Sequence, residues 1–228
     1  MEHIEGKSQS NPSANRRDPR LYHIASLGTL LAYGLFWLHF DLSLWQIAVT
    51  IGTALLTQYA GTRYAKLPCF DPKSALISSL SLCILLRTDH LAIEALASVV
   101  AIGSKFVFRW NDKHLFNPTN LALAIALASG MGWISPGQWG QVAWFGFLIA
   151  CLGSLVVTRA ARADVTFAFL AVYVSLLFAR ALWLGDPLTI PFHQLESGAL
   201  LLFAFFMISD PKTTPDSRAG RIVYALCV

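Results

Sequence analysis

Apolar stretches of about twenty residues recur along the chain, each ended by a short connection that carries most of the charges. A helix needs about 20 predominantly apolar residues to cross a hydrocarbon core about 30 Å thick. Repetition of that unit predicts an all-α fold, a polytopic transmembrane helical bundle. Composition points the same way: 55% of the 228 residues are hydrophobic and 13% charged, against about 25% charged in a soluble domain. A soluble enzyme is excluded on that ground.

Spans are expected at about 22–40, 43–62, 74–87, 91–108, 117–133, 139–158, 164–184 and 194–209, with a ninth beginning at 219–228, so residues 21–228 form one integral membrane domain. Residues 1–20 read as a polar tail. Arg16, Arg17 and Arg20 stand in it beside Glu2, Glu5 and Asp18, and it lacks the apolar core of a cleaved signal peptide. Fifteen of the 17 Lys and Arg residues fall in the tail or in alternate connections, leaving Arg87 and Arg180 for the other side. The positive-inside rule then predicts a multi-pass protein of the inner (cell) membrane with a cytoplasmic N-terminus. Trp45, Trp133, Trp139 and Trp183 fall near the opposite boundary, as an aromatic belt does.

The net charge of +4 forms no basic stripe outside the tail and connections, so no nucleic-acid partner is expected; the lipid bilayer is. Four cysteines, three of them within spans, make no disulfide framework, and His114 and His193 stand apart, so no metal site is expected. Glu94 and Glu196 each lie a few residues inside a span that starts on the outer side, and read as interfacial helix-start residues.

The third and eighth spans are short and run in opposite directions. Each opens on small residues, Ser74-Ala75-Leu76 and Ser197-Gly198-Ala199-Leu200, and closes on an aspartate, Asp89 and Asp210. Short spans at matching places in oppositely oriented halves point to a five-plus-five inverted repeat with a site near its axis. On that plan the sequence reads as about eight and a half of ten helices, since 44 residues separate Asp89 from Trp133 but 18 follow Asp210.

Two polar breaks carry the candidate chemistry, both on the cytoplasmic side of this topology. In the first, Phe116-Asn117-Pro118-Thr119-Asn120, Asn then Pro is a cap and first-turn pair that presents free backbone donors at the positive end of a helix. Lys105 and Arg109, four apart, share one helix face. They serve either to receive an anionic or carbonyl-rich group or as interfacial anchors. The second break is Ser209-Asp210-Pro211-Lys212-Thr213-Thr214-Pro215. Asp210 follows a long apolar run; it is either a buried functional carboxylate or a turn residue paired with Lys212.

With these residues in place, SKFVFRWNDKHLFNPTNLALAIAL (104–127) and SGALLLFAFFMISDPKTTPDSRAGRIVY (197–224) resemble the NqrB/RnfD family. That family comprises the NqrB component of the sodium-pumping NADH:quinone oxidoreductase and the RnfD component of the Rnf electron-transport complex. The resemblance runs over about residues 18–228 and is closest to short, stand-alone RnfD-like members. It implies two inverted five-helix halves, flavin-mediated electron transport and other redox or membrane subunits as partners. In the family, FMN is bound through a phosphoester to the threonine of an S-G-A-T segment; the corresponding stretch here is Trp133 to Gly140, and the imitation at 197–200 has Leu200 in place of threonine. The resemblance therefore implies flavin, riboflavin or FMN, held non-covalently. Its site residues would be Lys105, Phe116, Asn117, Pro118, Asn120, Asp210, Pro211, Thr213 and Thr214, with Phe106 and Phe206 as further walls and Lys105 favouring a reduced, anionic flavin. A non-redox transporter or channel for a small solute is the competing function class, because a bundle with broken helices serves transport equally well.

Overall fold

The computed structural model describes residues 18–110, 113–134 and 143–228. The tail expected at 1–20, apart from its last three residues, Trp139 of the aromatic belt and the Ser135–Gly140 part of the stretch matching the family's FMN segment lie outside the described residues.

The described chain is helical. Helix α1 (Pro19–Phe36) starts where Asp18 accepts from the Arg20 N–H at 3.0 Å and Pro19 fills the first helical position. Helix α2 (Leu44–Tyr64) opens on a reciprocal capping box: Ser43 Oγ accepts from the Gln46 N–H at 3.1 Å, and the Gln46 side chain accepts from the Ser43 N–H at 2.8 Å. α3 (Pro72–Leu85) runs into a two-residue strand, β1 (Leu86–Arg87), before α4 (Leu91–Val107). A small hairpin, β2 (Arg109–Trp110) against β3 (Lys113–His114), leads to α5 (Pro118–Ala128) and strand β4 (Trp133–Ile134). Then come α6 (Ala143–Ala160), α7 (Ala163–Leu184), α8 (Thr189–Leu195), α9 (Gly198–Leu202), a π-turn (Phe203–Met207) and α10 (Arg218–Cys227).

α3 is the hub. Its residues from Ser78 to Leu85 are all buried, as a helix apolar or small on every side must be. Leu27 and Leu30 of α1, Val156 and Val157 of α6, and Leu202 to Ile208 of the ninth helix and π-turn complete the core. α2 and α4 run side by side in the same direction, with Thr50 meeting Glu94 and Ser98 at one end and Gly61 meeting the Phe106 ring further along. A side chain at position 61 would collide with that ring. β1 pairs antiparallel with β4, Leu86 opposite Ile134 and Arg87 opposite Trp133, which clasps the far ends of α3 and α5 together.

Several expected spans differ. The stretch 194–209 is not one helix: Ser197 caps a new start, and the axes of Thr189–Leu195 and Gly198–Met207 meet at 52°. The stretch 117–133 is helical only to Ala128; Gly130 then takes a left-handed φ of +68° and the chain enters β4. With 14 and 11 residues, α3 and α5 are about 21 and 17 Å long, short of a full crossing. Among the described residues one helix, Ala163–Leu184, is by itself long and apolar enough to cross a membrane, and the bent pair of α8 and α9 passes only if counted as one span. α2 has the length, but Thr50, Thr53, Thr57, Gln58 and Thr62 dilute it.

Candidate cofactor-binding site

The two polar breaks, about 90 residues apart in sequence, meet. Asn117 Oδ1 accepts from the Asn120 N–H at 3.2 Å and so caps α5. Its other amide atom, Nδ2, donates to the Met207 carbonyl at 3.1 Å. That carbonyl closes the π-turn, a form frequent at functional sites. One asparagine therefore fills an orphan donor of one helix and adds a second donor to a carbonyl that also accepts the Asp210 N–H at 3.4 Å.

The hairpin before Asn117 reinforces the junction. The His114 N–H donates to the Lys212 carbonyl at 2.9 Å, and Lys113 Nζ donates to the Thr214 carbonyl and Asp216 Oδ1, both at 2.6 Å. Thr214 is fully buried: its hydroxyl donates to the Asp210 carbonyl at 3.0 Å and accepts from Arg162 Nε at 3.1 Å. Thr213 Oγ1 also donates to the Asp210 carbonyl, at 3.1 Å. The Asp210 carboxylate accepts the Lys212 N–H at 3.0 Å, so Asp210 is bound to the Lys212 backbone rather than paired with its ammonium. Burial raises the Asp210 carboxyl, opposed by that N–H and by Lys105 and Lys212. The hydrogen bond from Lys113 holds the exposed Asp216 carboxyl below the usual range.

Lys105 and Arg109 do not share a face. α4 ends at Val107 with Phe108 as its cap, which places Arg109 in the exposed β2 strand, while Lys105 is 5% exposed and donates to the Ser74 carbonyl at 2.9 Å and Ser74 Oγ at 3.1 Å. Lys105 is close enough to Asp210 to interact with it electrostatically. The aromatic walls are dispersed: Phe106 packs on Gly61, and Phe116, half exposed, meets Phe108 edge-on at 6.0 Å. Phe206 alone of the three is buried at the junction, tilted against the His23 ring of α1 at 5.4 Å. Pro118 is buried in the first turn of α5 and Pro211 is exposed.

A polar centre at the other end of α3 escaped the sequence reading. Glu94, 1% exposed rather than interfacial, accepts from Thr50 Oγ1 at 3.0 Å and Thr88 Oγ1 at 3.3 Å. Arg87, 3% exposed, donates to the Cys83 and Leu86 carbonyls and lies over the Phe40 ring at 5.4 Å. Glu196, by contrast, is exposed beside His193.

A flat ligand with carbonyl and N–H groups along one edge fits the junction chemically. Lys105 has one ammonium hydrogen beyond those given to Ser74, the Asp210 carboxylate has a second oxygen beyond the one bound to Lys212, and two buried ring atoms, His23 Nε2 and His114 Nδ1, have no partner. Beside Phe206, a crevice lined by Leu27, Ser81, Leu85, Leu202 and Met207 has no room for a water molecule. Ligand pockets span about 300–1,000 Å³, so admission requires α1 or α9 to shift.

Residues 127–228 match the NQR2, RnfD, RnfE family. This range contains the second break and begins after the first. The chain is 37% identical over 103 residues to the D-type subunit of the ion-translocating oxidoreductase complex of Erwinia tasmaniensis, covering 44% of this chain and 26% of that protein. It is 36% identical over 104 residues to the protein of the same name from Alcanivorax borkumensis, covering 44% and 27%. For that of Salmonella paratyphi B the figures are 34% over 101 residues, 42% and 25%. The chain thus matches about a quarter of the length of these relatives.

Proposed function

Proceeding from the match of residues 127–228 to the NQR2, RnfD, RnfE family, we propose that the chain is an integral-membrane subunit of an electron-transport system that works with other redox or membrane subunits and couples electron transfer to transmembrane transport. It binds flavin, riboflavin or FMN, non-covalently where the two breaks meet. The observation carrying this reading is the hydrogen bond from Asn117 to Met207, which gathers Lys105, Asn117, Asn120, Asp210 and Thr214 around one junction. Flavin supplies electron transfer; this chain's residues bind and orient it. Lys105 and Asp210 offer the charged contacts, and Phe206 with its buried neighbours excludes water.

A bilayer location is supported by the apolar surface of α7, where Phe167, Leu176, Leu182 and Trp183, spread around the helix, are all more than half exposed. A cytoplasmic N-terminus and a two-fold inverted plan belong to the same proposal. Non-covalent binding is proposed because the stretch matching the family's S-G-A-T segment, Trp133 to Gly140, lacks that motif, and the imitation at 197–200 has Leu200, which has no hydroxyl to esterify. The 52° bend between α8 and α9 favours one alternative, a non-redox carrier for a small solute.

Purification of the full chain in mild detergent, followed by absorbance in the flavin bands before and after adding riboflavin or FMN, decides between them. Flavin uptake that is released by acid, and reduced in Asn117→Ala and Asp210→Ala but not in Arg16→Ala, is the expected result. A colourless protein that takes up neither flavin refutes the redox reading.

A further inference from the structure

The fully buried residues of α2 are Thr50, Ala54, Gln58 and Thr62, spaced four apart and therefore on one face, and three of the four are polar. That face looks into the seam between α3 and α4. At its start every polar group is answered: Thr50 donates to Glu94 of α4, and Ser98 of α4 donates to the Thr50 carbonyl at 3.1 Å. In the middle Ala54 packs with Ala75 of α3 and Ile102 of α4, all three 0% exposed. Beyond that apolar contact the face presents Gln58 Oε1 and Thr62 Oγ1, on side chains more than nine-tenths buried, and neither oxygen has a hydrogen-bond partner. Most buried polar atoms are partnered, so two unpartnered ones a single turn apart mark the place of a missing polar group.

The other walls of the seam bring Lys105 to the same level. Lys105 follows Ile102 by three residues on α4, it donates to Ser74, which precedes Ala75 on α3, and its neighbour Phe106 packs on Gly61, which precedes Thr62. Two of its three ammonium hydrogens go to Ser74. The missing group must therefore donate to Gln58 Oε1 and accept from an ammonium. A cation is repelled by Lys105, and an anion has no hydrogen to donate. Water does both, and about three polar partners are usual for a buried water molecule. Access lies at one end only: Ala54, Ala75 and Ile102 close the seam towards Glu94, whereas α2 finishes two residues after Thr62 at Tyr64, which is 90% exposed.

We propose that Gln58, Thr62 and Lys105 hold internal water in a blind pocket, sealed by Ala54, Ala75 and Ile102 and open to solvent past the end of α2, through which Lys105 exchanges its protons. The proposal goes beyond the flavin reading and stands or falls without it.

Methyl methanethiosulfonate, small and uncharged, is the probe, and the mass of the intact chain is the readout. It reacts with a thiolate, which forms where water reaches the sulfur. The full chain carrying Cys69→Ala, Cys83→Ala, Cys151→Ala and Cys227→Ala, in membranes, receives one new cysteine at a time. Gln58→Cys and Thr62→Cys should be modified at least about tenfold faster than Ala54→Cys, where the seam is dry. Equal rates at the three positions overturn the proposal. Should a cysteine variant fail to fold, Thr62→Val, which keeps the shape and removes the hydroxyl, gives a second measurement by unfolding in mixed micelles. If water bonds the hydroxyl, the equilibrium shifts about fivefold towards the unfolded state. If the pocket is dry, deleting an unsatisfied hydroxyl leaves the equilibrium unchanged or shifts it towards the folded state, and either result overturns the proposal.

Discussion

Replacing Asn117 by alanine removes two bonds at once. The cap from Oδ1 to the Asn120 N–H is worth about 1 kcal/mol. Loss of Nδ2 removes the shorter of two bonds to the buried Met207 carbonyl, which keeps the Asp210 N–H at 3.4 Å, a further cost of about 0.5–1.5 kcal/mol. Together these predict a loss of about 2 kcal/mol, on the order of thirtyfold in the unfolding equilibrium. Asn117→Asp separates the two parts. A carboxylate keeps the acceptor and gains about 0.3–1 kcal/mol from the helix N-terminus, yet it sets an oxygen against the Met207 carbonyl oxygen. The aspartate variant should therefore lose about 2 kcal/mol despite its better cap. Reversible unfolding in mixed micelles, titrated with a denaturing detergent, measures both. Alanine within about 0.5 kcal/mol of wild type, or aspartate as stable as wild type, refutes the idea that this side chain ties the breaks together.

Gly153→Ala on α6 should cost about 1–3 kcal/mol in the same assay, because the new methyl would lie 2.5 Å from Cβ and 2.6 Å from Cγ of Phe205, the least movable part of that side chain; a neutral effect would show that the π-turn gives way. His114 has a folded value near 4 against 6.5 for the free group, so the unfolded state binds the extra proton between those limits. Stability from this residue is complete above about pH 6.5 and declines as the pH falls towards 4, a dependence that His114→Gln should lessen when unfolding is followed across that range.

Much of the helical pattern was legible because it depends on local signals. Asn117-Pro118 marks a start that needs no knowledge of the rest of the chain, whereas α1 and α3 begin at Pro19 and Pro72, ahead of the expected 22 and 74. Length was harder. Residues 194–209 are apolar enough to read as one rod, and the cap at Ser197 that divides them resembles an ordinary small residue in such a run. Both breaks could be read from their prolines and amides, but their meeting could not, since Asn117 to Met207 is a matter of tertiary packing. Glu94 shows the same limit: its position in a first turn suggested an interfacial residue, and only the parallel placement of α2, which brings Thr50 alongside, buries it. His23 gives no local sign of its burial; it lies in an apolar helix and meets Phe206 only in the folded chain.

The bonds of the junction also set an order of events during synthesis. Asn117 waits for a carbonyl 90 residues later in the chain, and Lys113 for one 101 residues later. Loop closure over such distances is slow compared with forming the helices themselves. At about 5–20 residues per second, the ribosome adds the missing partner only several seconds after Asn117 has been made. In that interval α2, α3, α4 and α5 can assemble on one another, with the capped end of α5 exposed and its amide donor unfilled. The nascent chain thus passes through a period in which the first break is open to lipid headgroups, chaperones or an early-arriving ligand, and arrival of the π-turn ends it.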